Sequence, residues 1–140
     1  MLRLVEFSQH HFVLVGLAVL ILLALAVDEA LRRARKYQEL SPAQSVMLIN
    51  KGAKVLDLRT HVEFSTGHIL NAHNIPFAEL DDRASELDKM IAQPLLLCCK
   101  TGSDAATAAA RLAKRGFQSI TVLKGGIAAW QQEQLPLERG

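Results

Sequence analysis

Apolar residues follow three different patterns along the chain. From residue 12 to residue 27 sixteen consecutive positions are apolar or glycine, a run without the polar stripe that a surface helix turns to water. Residues 28–40 (DEALRRARKYQEL) mix charged and apolar positions and hold no Gly, Pro or β-branched residue, so the same helix is expected to continue as a stalk. From residue 41 onward short apolar runs alternate with segments of helical period. Ser41, Pro42 and Gln44 make a capping-box start with Pro at the first helical position, and Gly52 supplies the stop. A helix is therefore expected over 42–50, with Val46, Met47 and Ile49 toward the core. Short buried strands are expected at 54–58, 73–75, 95–99 and 119–123. Between them the pattern places a loop with one helical turn at 59–66, an amphipathic helix at 81–90 and a helix at 104–115 stopped by Gly116. After a tight turn at Gly125-Gly126 a last helix at 127–133 carries Trp130.

Strands and helices alternating at this spacing make an α/β domain. Parallel neighbours need crossover connections, so helices are expected on both faces of a small parallel sheet. Ligands of such sheets bind beyond the carboxyl ends of the strands, and Cys99 falls at one of those ends. The organisation read from these patterns is a membrane anchor at 1–27, a basic helical stalk at 28–39 and a domain at 40–140, with no internal repeat and no low-complexity tract.

Sixteen helical residues span about 24 Å, short of a hydrocarbon core of about 30 Å. Adding the neutral residues Ser8, Gln9, His10 and His11, back to Phe7, makes up the deficit and gives one transmembrane helix over 7–27. Ala24-Leu25-Ala26 also has the small-x-small form of a signal-peptidase site, which makes a cleaved signal the competing reading. The flanking charges favour the anchor. Arg3 and the terminal amine face Glu6 on one side, whereas Arg32, Arg33, Arg35 and Lys36 crowd the other. By the positive-inside rule the N-terminus is then outside and the domain cytoplasmic, as in a single-pass protein of a bacterial inner membrane. The same cluster also reads as a solvated helix face, or as an attractor of anionic headgroups at about 1 kcal/mol per side chain. From Gln38 on, eleven Lys and Arg balance eleven Asp and Glu, so no basic footprint for nucleic acid is present. Two adjacent cysteines are no disulfide framework and suit a reducing compartment.

The candidate chemistry concentrates in residues 95–104, LLLCCKTGSD. An apolar strand there delivers a cysteine to a short polar loop that leads into an alanine-rich helix. Loop amides and the positive end of that helix converge on one point, which stabilises an anion and makes a thiol reactive. The alternative is that Cys98 and Cys99 are ordinary buried strand thiols. Cys98 alternates to the opposite face from Cys99, and is expected to be buried and inert or else to resolve a modification on its neighbour. His61 and His73 lack the spacing of a metal site, and no metal is expected.

Three separated segments resemble the signatures of one family. Val55-Leu56-Asp57-Leu58-Arg59, with Glu63-Phe64, Gly67-His68-Ile69, Asn71-Ala72 and Asn74-Ile75-Pro76, resembles the opening signature of the rhodanese-like domain. Residues 122–130 (VLKGGIAAW) resemble its closing signature, and Cys99 stands between them where the family keeps its catalytic cysteine. The resemblance covers about residues 40–140. It implies a sulfurtransferase: the Cys99 thiolate takes sulfane sulfur from a small anionic donor such as thiosulfate, holds it as a persulfide and passes it to a thiol or other nucleophilic acceptor. It implies no metal or organic cofactor. The loop Lys100, Thr101, Gly102, Ser103, Asp104 and Ala105 would then point its amides at the persulfide. Asp57 and Arg59 read as an ion pair that fixes a loop, with direct catalysis as the alternative. His68 reads as a structural histidine bonded to its neighbouring loop, with a general base for Cys99 as the alternative, and Trp130 as a core anchor covering the sheet edge.

The chain also departs from the family pattern. Active members commonly read Cys-Arg-x-Gly-x-Arg followed by a small hydroxyl residue. Here Lys100 replaces the first arginine without its planar fork, and Asp104 and Ala105 occupy the last two positions. A carboxylate there repels a forming persulfide, unless Asp104 is the N-cap of the next helix with its charge turned partly away. A phosphatase on this fold needs Cys-x5-Arg, and position 105 is alanine, which sets aside phosphatase and arsenate reductase chemistry. Two functions stay open: a membrane-anchored sulfurtransferase or persulfide carrier acting through Cys99, and a tethered binding module that meets a membrane-protein partner.

Overall fold

An apolar run without partner strands can satisfy its own backbone N–H and C=O groups only as a helix, and helix α1 (Phe12–Ala34) does so over 23 residues. At about 1.5 Å per residue it measures about 35 Å and is long and apolar enough to cross a membrane. None of its residues is buried. The computed structural model describes residues 3, 5 and 11–140, so Glu6 and residues 7–10 of the expected span lie outside the described residues. The charged end of α1 is laced by Asp28–Arg32 and Glu29–Arg33 pairs, both at 2.8 Å, with the acid N-terminal to the base as the helix dipole favours. Exposed pairs of this kind contribute about 0.3–0.5 kcal/mol each, but they neutralise half of the basic cluster within the helix itself.

The helix stops at Ala34, not at Leu40 as its composition predicts. Arg35 is already extended, with ψ 132°, and strand β1 (Gln38–Leu40) lies parallel to β5 (Ile120–Leu123), pairing Gln38 with Thr121 and Leu40 with Leu123. A sheet partner distant in sequence overrides the local helix propensity, and Tyr37 packs on the core beside it. A second compact unit thus begins at Lys36.

That unit continues through α2 (Pro42–Asn50), β2 (Lys54–Asp57), α3 (His61–Thr66) and β3 (His73–Asn74). A 3₁₀ turn (Phe77–Glu79), the single helical turn α4 (Leu80–Arg83) and a second 3₁₀ segment (Ala84–Met90) lead to β4 (Leu95–Cys98). Helix α5 (Ser103–Lys114), β5 and α6 (Gly126–Gln132) complete it. The five strands are ordered β1-β5-β4-β2-β3, all parallel. Central strands of such a sheet are covered on both faces and read as unbroken apolar runs, and all four residues of β4 are buried. Alternate residues then serve two cores. Leu95, Leu97 and Cys99 join Leu80, Leu87, Ala108 and Leu112 on one face, whereas Leu96 and Cys98 join Val55, Ile127 and Trp130 on the other.

Both capping boxes are closed. Ser41 Oγ accepts from the Gln44 amide and Thr60 Oγ1 from the Glu63 amide, both at 3.3 Å. Three expectations need correction. Met47 is exposed, because the inward face of α2 is Pro42, Ser45, Val46 and Ile49 at helical spacing. Residues 81–90 are mostly 3₁₀ rather than one amphipathic α-helix; three residues per turn align Ala84, Leu87 and Met90 on the core. Trp130 covers the face over β2, β4 and β5, not the sheet edge, and its Nε1–H donates to Pro136 O at 3.1 Å.

Leu97 is fully buried in the central strand. Leu97→Ala is expected to lower unfolding free energy by about 2–5 kcal/mol, read from urea titration of the full chain in detergent.

Candidate active site

The chain leaves β2 toward β3 on one side of the sheet and leaves β4 toward β5 on the other, so the carboxyl ends of β2 and β4 flank a topological switch point, where open α/β sheets bind ligands. The two following loops meet there around a cavity of about 350 Å³. Leu58, Arg59, Thr60 and Glu63 line it from the β2 side, Pro76, Phe77 and Ala78 form a further wall, and Cys99, Lys100 and Asp104 close it from the β4 side.

Cys99 is buried, 3% exposed, yet lines this cavity. Its Sγ accepts hydrogen bonds from the Gly102 amide at 2.9 Å and the Ala105 amide at 3.4 Å. The other four amides of residues 100–105 do not donate to it. Both donors belong to the N-terminal turn of α5, whose positive end therefore faces the sulfur. Amides so placed can donate to an anion carried on the sulfur. The N-cap of α5 is Gly102, in the left-handed conformation at φ 103° with no side-chain cap, and not Asp104. Asp104 sits one residue inside the helix with its side chain exposed.

The loop owes its shape to the start of α6. Ile127 N–H donates to Cys99 O at 2.8 Å and Ala128 N–H to Lys100 O at 3.2 Å. Gly126, at φ 63°, lies against the same backbone: a Cβ there would collide with Cys99 O and stand 2.7 Å from the Lys100 carbonyl carbon. The glycine pair, read in the sequence as a tight turn within the closing signature, thus shapes the loop that carries Cys99. Phe77 and the Thr60–Glu63 capping box are cavity walls that the sequence reading also left out; the Thr-x-x-Glu spacing was the available signal for the second.

Asp57 and Arg59 form the expected ion pair. Arg59 Nη2 and Nε reach Asp57 Oδ2 at 2.7 and 3.1 Å, and Nη2 also donates to Gly67 O at 2.7 Å. Burial alone would lower the Arg59 guanidinium, but the hydrogen bond to and charge of Asp57 outweigh it and raise it above its ordinary value. Asn74 Nδ2 donates to Asp57 O and Arg59 O, at 3.0 and 2.9 Å, and fastens this corner to β3. His68 stacks on Phe64 at 3.8 Å, and its Nδ1–H donates to Phe64 O at 2.9 Å. Its backbone bridges Glu138, and it does not line the Cys99 cavity. His61 and His73 lie beside Glu79 and Glu86 on the surface. Cys98 is fully buried on the opposite face, and burial first, then the Asp57 charge, pushes its thiol well above the ordinary range.

Two outcomes follow from these contacts. Gly126→Ala is expected to cost about 1–3 kcal/mol beyond the penalty at Gly52→Ala, since Gly52 shares the positive φ but has open space around it; urea unfolding of both variants measures the difference. For Cys98 the folded thiol keeps its proton where the unfolded thiol has lost it, so its contribution is full below the ordinary thiol range and is lost as pH rises through and beyond it. Cys98→Ala should cost about 1 kcal/mol at neutral pH and flatten the alkaline decline of stability, followed by unfolding across a pH series.

The model of the rhodanese-like domain matches residues 41–133 of this chain. Over 142 aligned positions the chain is 32% identical to the uncharacterized protein YibN of Escherichia coli strain K12, covering 100% of this chain and 99% of that one. It is 32% identical to the thiosulfate sulfurtransferase GlpE of Ectopseudomonas mendocina over 96 residues, 69% of this chain and 86% of that one. Among solved structures, a rhodanese-related protein of Thermoplasma volcanium superposes with a TM-score of 0.67 at 30% identity, over 73% of this chain and 98% of its own. The rhodanese-like domain of an Anabaena protein gives 0.64 at 26% identity, over 73% of this chain and 79% of its own. Since the matched segment runs from the cap of α2 past the end of α6 and includes the Cys99 loop, this chain belongs to the rhodanese-like domain family.

Proposed function

We propose that this protein is a membrane-anchored sulfurtransferase in which Cys99 carries sulfane sulfur as a persulfide. The observation that carries this reading is the pair of amides, Gly102 at 2.9 Å and Ala105 at 3.4 Å, aimed at a cysteine sulfur on the floor of a cavity. The Cys99 thiolate attacks the outer sulfur of a donor such as thiosulfate. A Cys99–sulfur bond forms, the donor's sulfur–sulfur bond breaks, and its electron pair leaves with sulfite. The terminal sulfur of the persulfide, an anion at neutral pH, stands one sulfur–sulfur bond beyond Sγ, and the positive end of α5 that faces Sγ stabilises its charge. Attack by an acceptor thiolate on that terminal sulfur returns Cys99 to a thiolate. Lys100, on the cavity wall, is the cation that the oxygens of a donor meet, and the Asp57–Arg59 pair and His68 hold the surrounding loops. The likeness to GlpE supports the reaction class. Helix α1, apolar to Val27 and followed by Arg32, Arg33, Arg35 and Lys36, supports an anchor with the domain on the cytoplasmic side.

A rival reading, a tethered module that binds a membrane-protein partner without sulfur chemistry, has Asp104 in its favour, a carboxylate at the place where sulfur must become anionic. Intact mass spectrometry of the full chain in detergent separates the two, after incubation with thiosulfate or a thiosulfonate and removal of excess donor. Gain of one sulfur atom, reversed by reductant and abolished in Cys99→Ser, is the expected result. No gain with thiosulfate, nor with an anionic or a zwitterionic thiosulfonate, in a folded chain would overturn the sulfurtransferase reading in favour of the module.

A further inference from the structure

The cavity that holds Cys99 is poorly suited to a small dianion. Of its two cationic side chains, Arg59 directs its guanidinium at the fully buried carboxylate of Asp57 and at Gly67 O, so its charge is cancelled where it stands. Lys100 remains. Against it are Asp104, whose carboxylate has no hydrogen bond or ion pair among the described residues, and Glu63, whose carboxylate accepts from the Thr60 amide at 3.2 Å and the Thr60 hydroxyl at 3.3 Å. A thiolate on Cys99 adds a further negative charge. A dianion entering this space meets one available cation and three negative groups, each of which opposes it. The volume of about 350 Å³ falls in the range that accepts small organic ligands, and the wall of Pro76, Phe77 and Ala78 offers apolar surface for a carbon chain.

We infer that the sulfur donor of this site is an organic sulfane compound bearing an ammonium group, an amino-thiosulfonate or amino-persulfide, and that Asp104 selects it by pairing with the ammonium. The inference rests on the sulfurtransferase reading and names the donor class for the same site. The chemistry balances without an added oxidant or reductant. With an amino-thiosulfonate, the Cys99 thiolate attacks the outer sulfur, the bond from that sulfur to the sulfonyl group breaks, and the electron pair departs with the aminosulfinate. The ammonium takes no part in bond making; it lowers the cost of bringing the donor to a thiolate flanked by carboxylates.

Three donors that share the reacting sulfur–sulfonyl bond test it: thiosulfate, a dianion; methanethiosulfonate, a monoanion; and 2-aminoethanethiosulfonate, a zwitterion of no net charge. The rate of Cys99 loading per unit donor is measured by mass spectrometry for the full chain in detergent and for Asp104→Arg and Asp104→Asn. Taking each variant relative to wild type for the same donor cancels the donors' intrinsic reactivities. For Asp104→Arg a rise of about tenfold is expected with thiosulfate and about threefold with methanethiosulfonate, and a fall of about threefold with the zwitterion. Asp104→Asn should give the same order at smaller size, and keeps the test available if the arginine variant fails to fold. Raising ionic strength should compress the contrast. Equal factors for the three donors, or a gain for the zwitterion as large as for thiosulfate, would overturn selection by Asp104 while leaving sulfur transfer standing. No loading of the folded wild-type chain by any of them would overturn the sulfurtransferase reading and this inference with it.

Discussion

The close approach of the start of α6 to the Cys99–Lys100 backbone is the contact on which the site depends. Two hydrogen bonds from Ile127 and Ala128 take up the carbonyls of Cys99 and Lys100, so the chain must turn immediately and present amides, not carbonyls, to the sulfur. The turn is closed by Gly102, where an added Cβ would stand 3.6 Å from Gly125 N. Three glycines therefore meet at one junction. Gly102 and Gly126 have left-handed backbones, and at Gly126 a side chain would occupy the space of the cysteine loop itself. The β5–α6 turn in this sense shapes the Cys99 loop, although none of its residues lines the cavity.

On the opposite wall the same economy governs charge. A buried ion pair adds little net stability, but removing one partner leaves a buried charge at a cost of about 3–5 kcal/mol. Asp57 and Arg59 thus fix each other, and through Gly67 O and Asn74 they hold the β2–α3 corner against β3. Leu58 N–H donates to Cys98 O at 2.8 Å, which ties that corner to the strand delivering Cys99. The guanidinium on the wall of the Cys99 cavity is therefore structural, and the electrostatic character of the cavity falls to Lys100, Glu63 and Asp104.

What was legible in the sequence was local or periodic. The buried strands, the Ser41–Gln44 capping box, the face alternation of Cys98 and Cys99 and the Asp57–Arg59 pair all follow from spacing of a few residues. What was not legible depends on partners distant in the chain. Residues 38–40 have the composition of a helix and become a strand because β5 offers an edge to Gln38, Glu39 and Leu40. Asp104 has the ordinary properties of an N-cap, but the loop is drawn toward α6 and turns at Gly102 instead, which places the carboxylate inside the first helical turn. Likewise Gly125-Gly126 signals a turn, whereas the need for Gly126 comes from Cys99, brought close only by the sheet.

The adjacency of two cysteines raises the question of whether Cys98 could resolve sulfur held on Cys99. Thiol exchange needs the attacking sulfur to reach the one it displaces. Consecutive residues of a strand point to opposite faces, and Cys98 lies in the core formed by Val55, Leu96 and Trp130 while Cys99 opens to the cavity. The same burial holds the Cys98 thiol in its protonated form, which is the poorer nucleophile. Exchange between neighbours would require the end of β4 to unpair from β2, breaking the Leu58–Cys98 hydrogen bond that joins the two walls of the site. On the sulfur-carrier reading, a persulfide on Cys99 is therefore protected from its own neighbour, and its discharge falls to an acceptor that enters the cavity lined by Lys100 and Asp104.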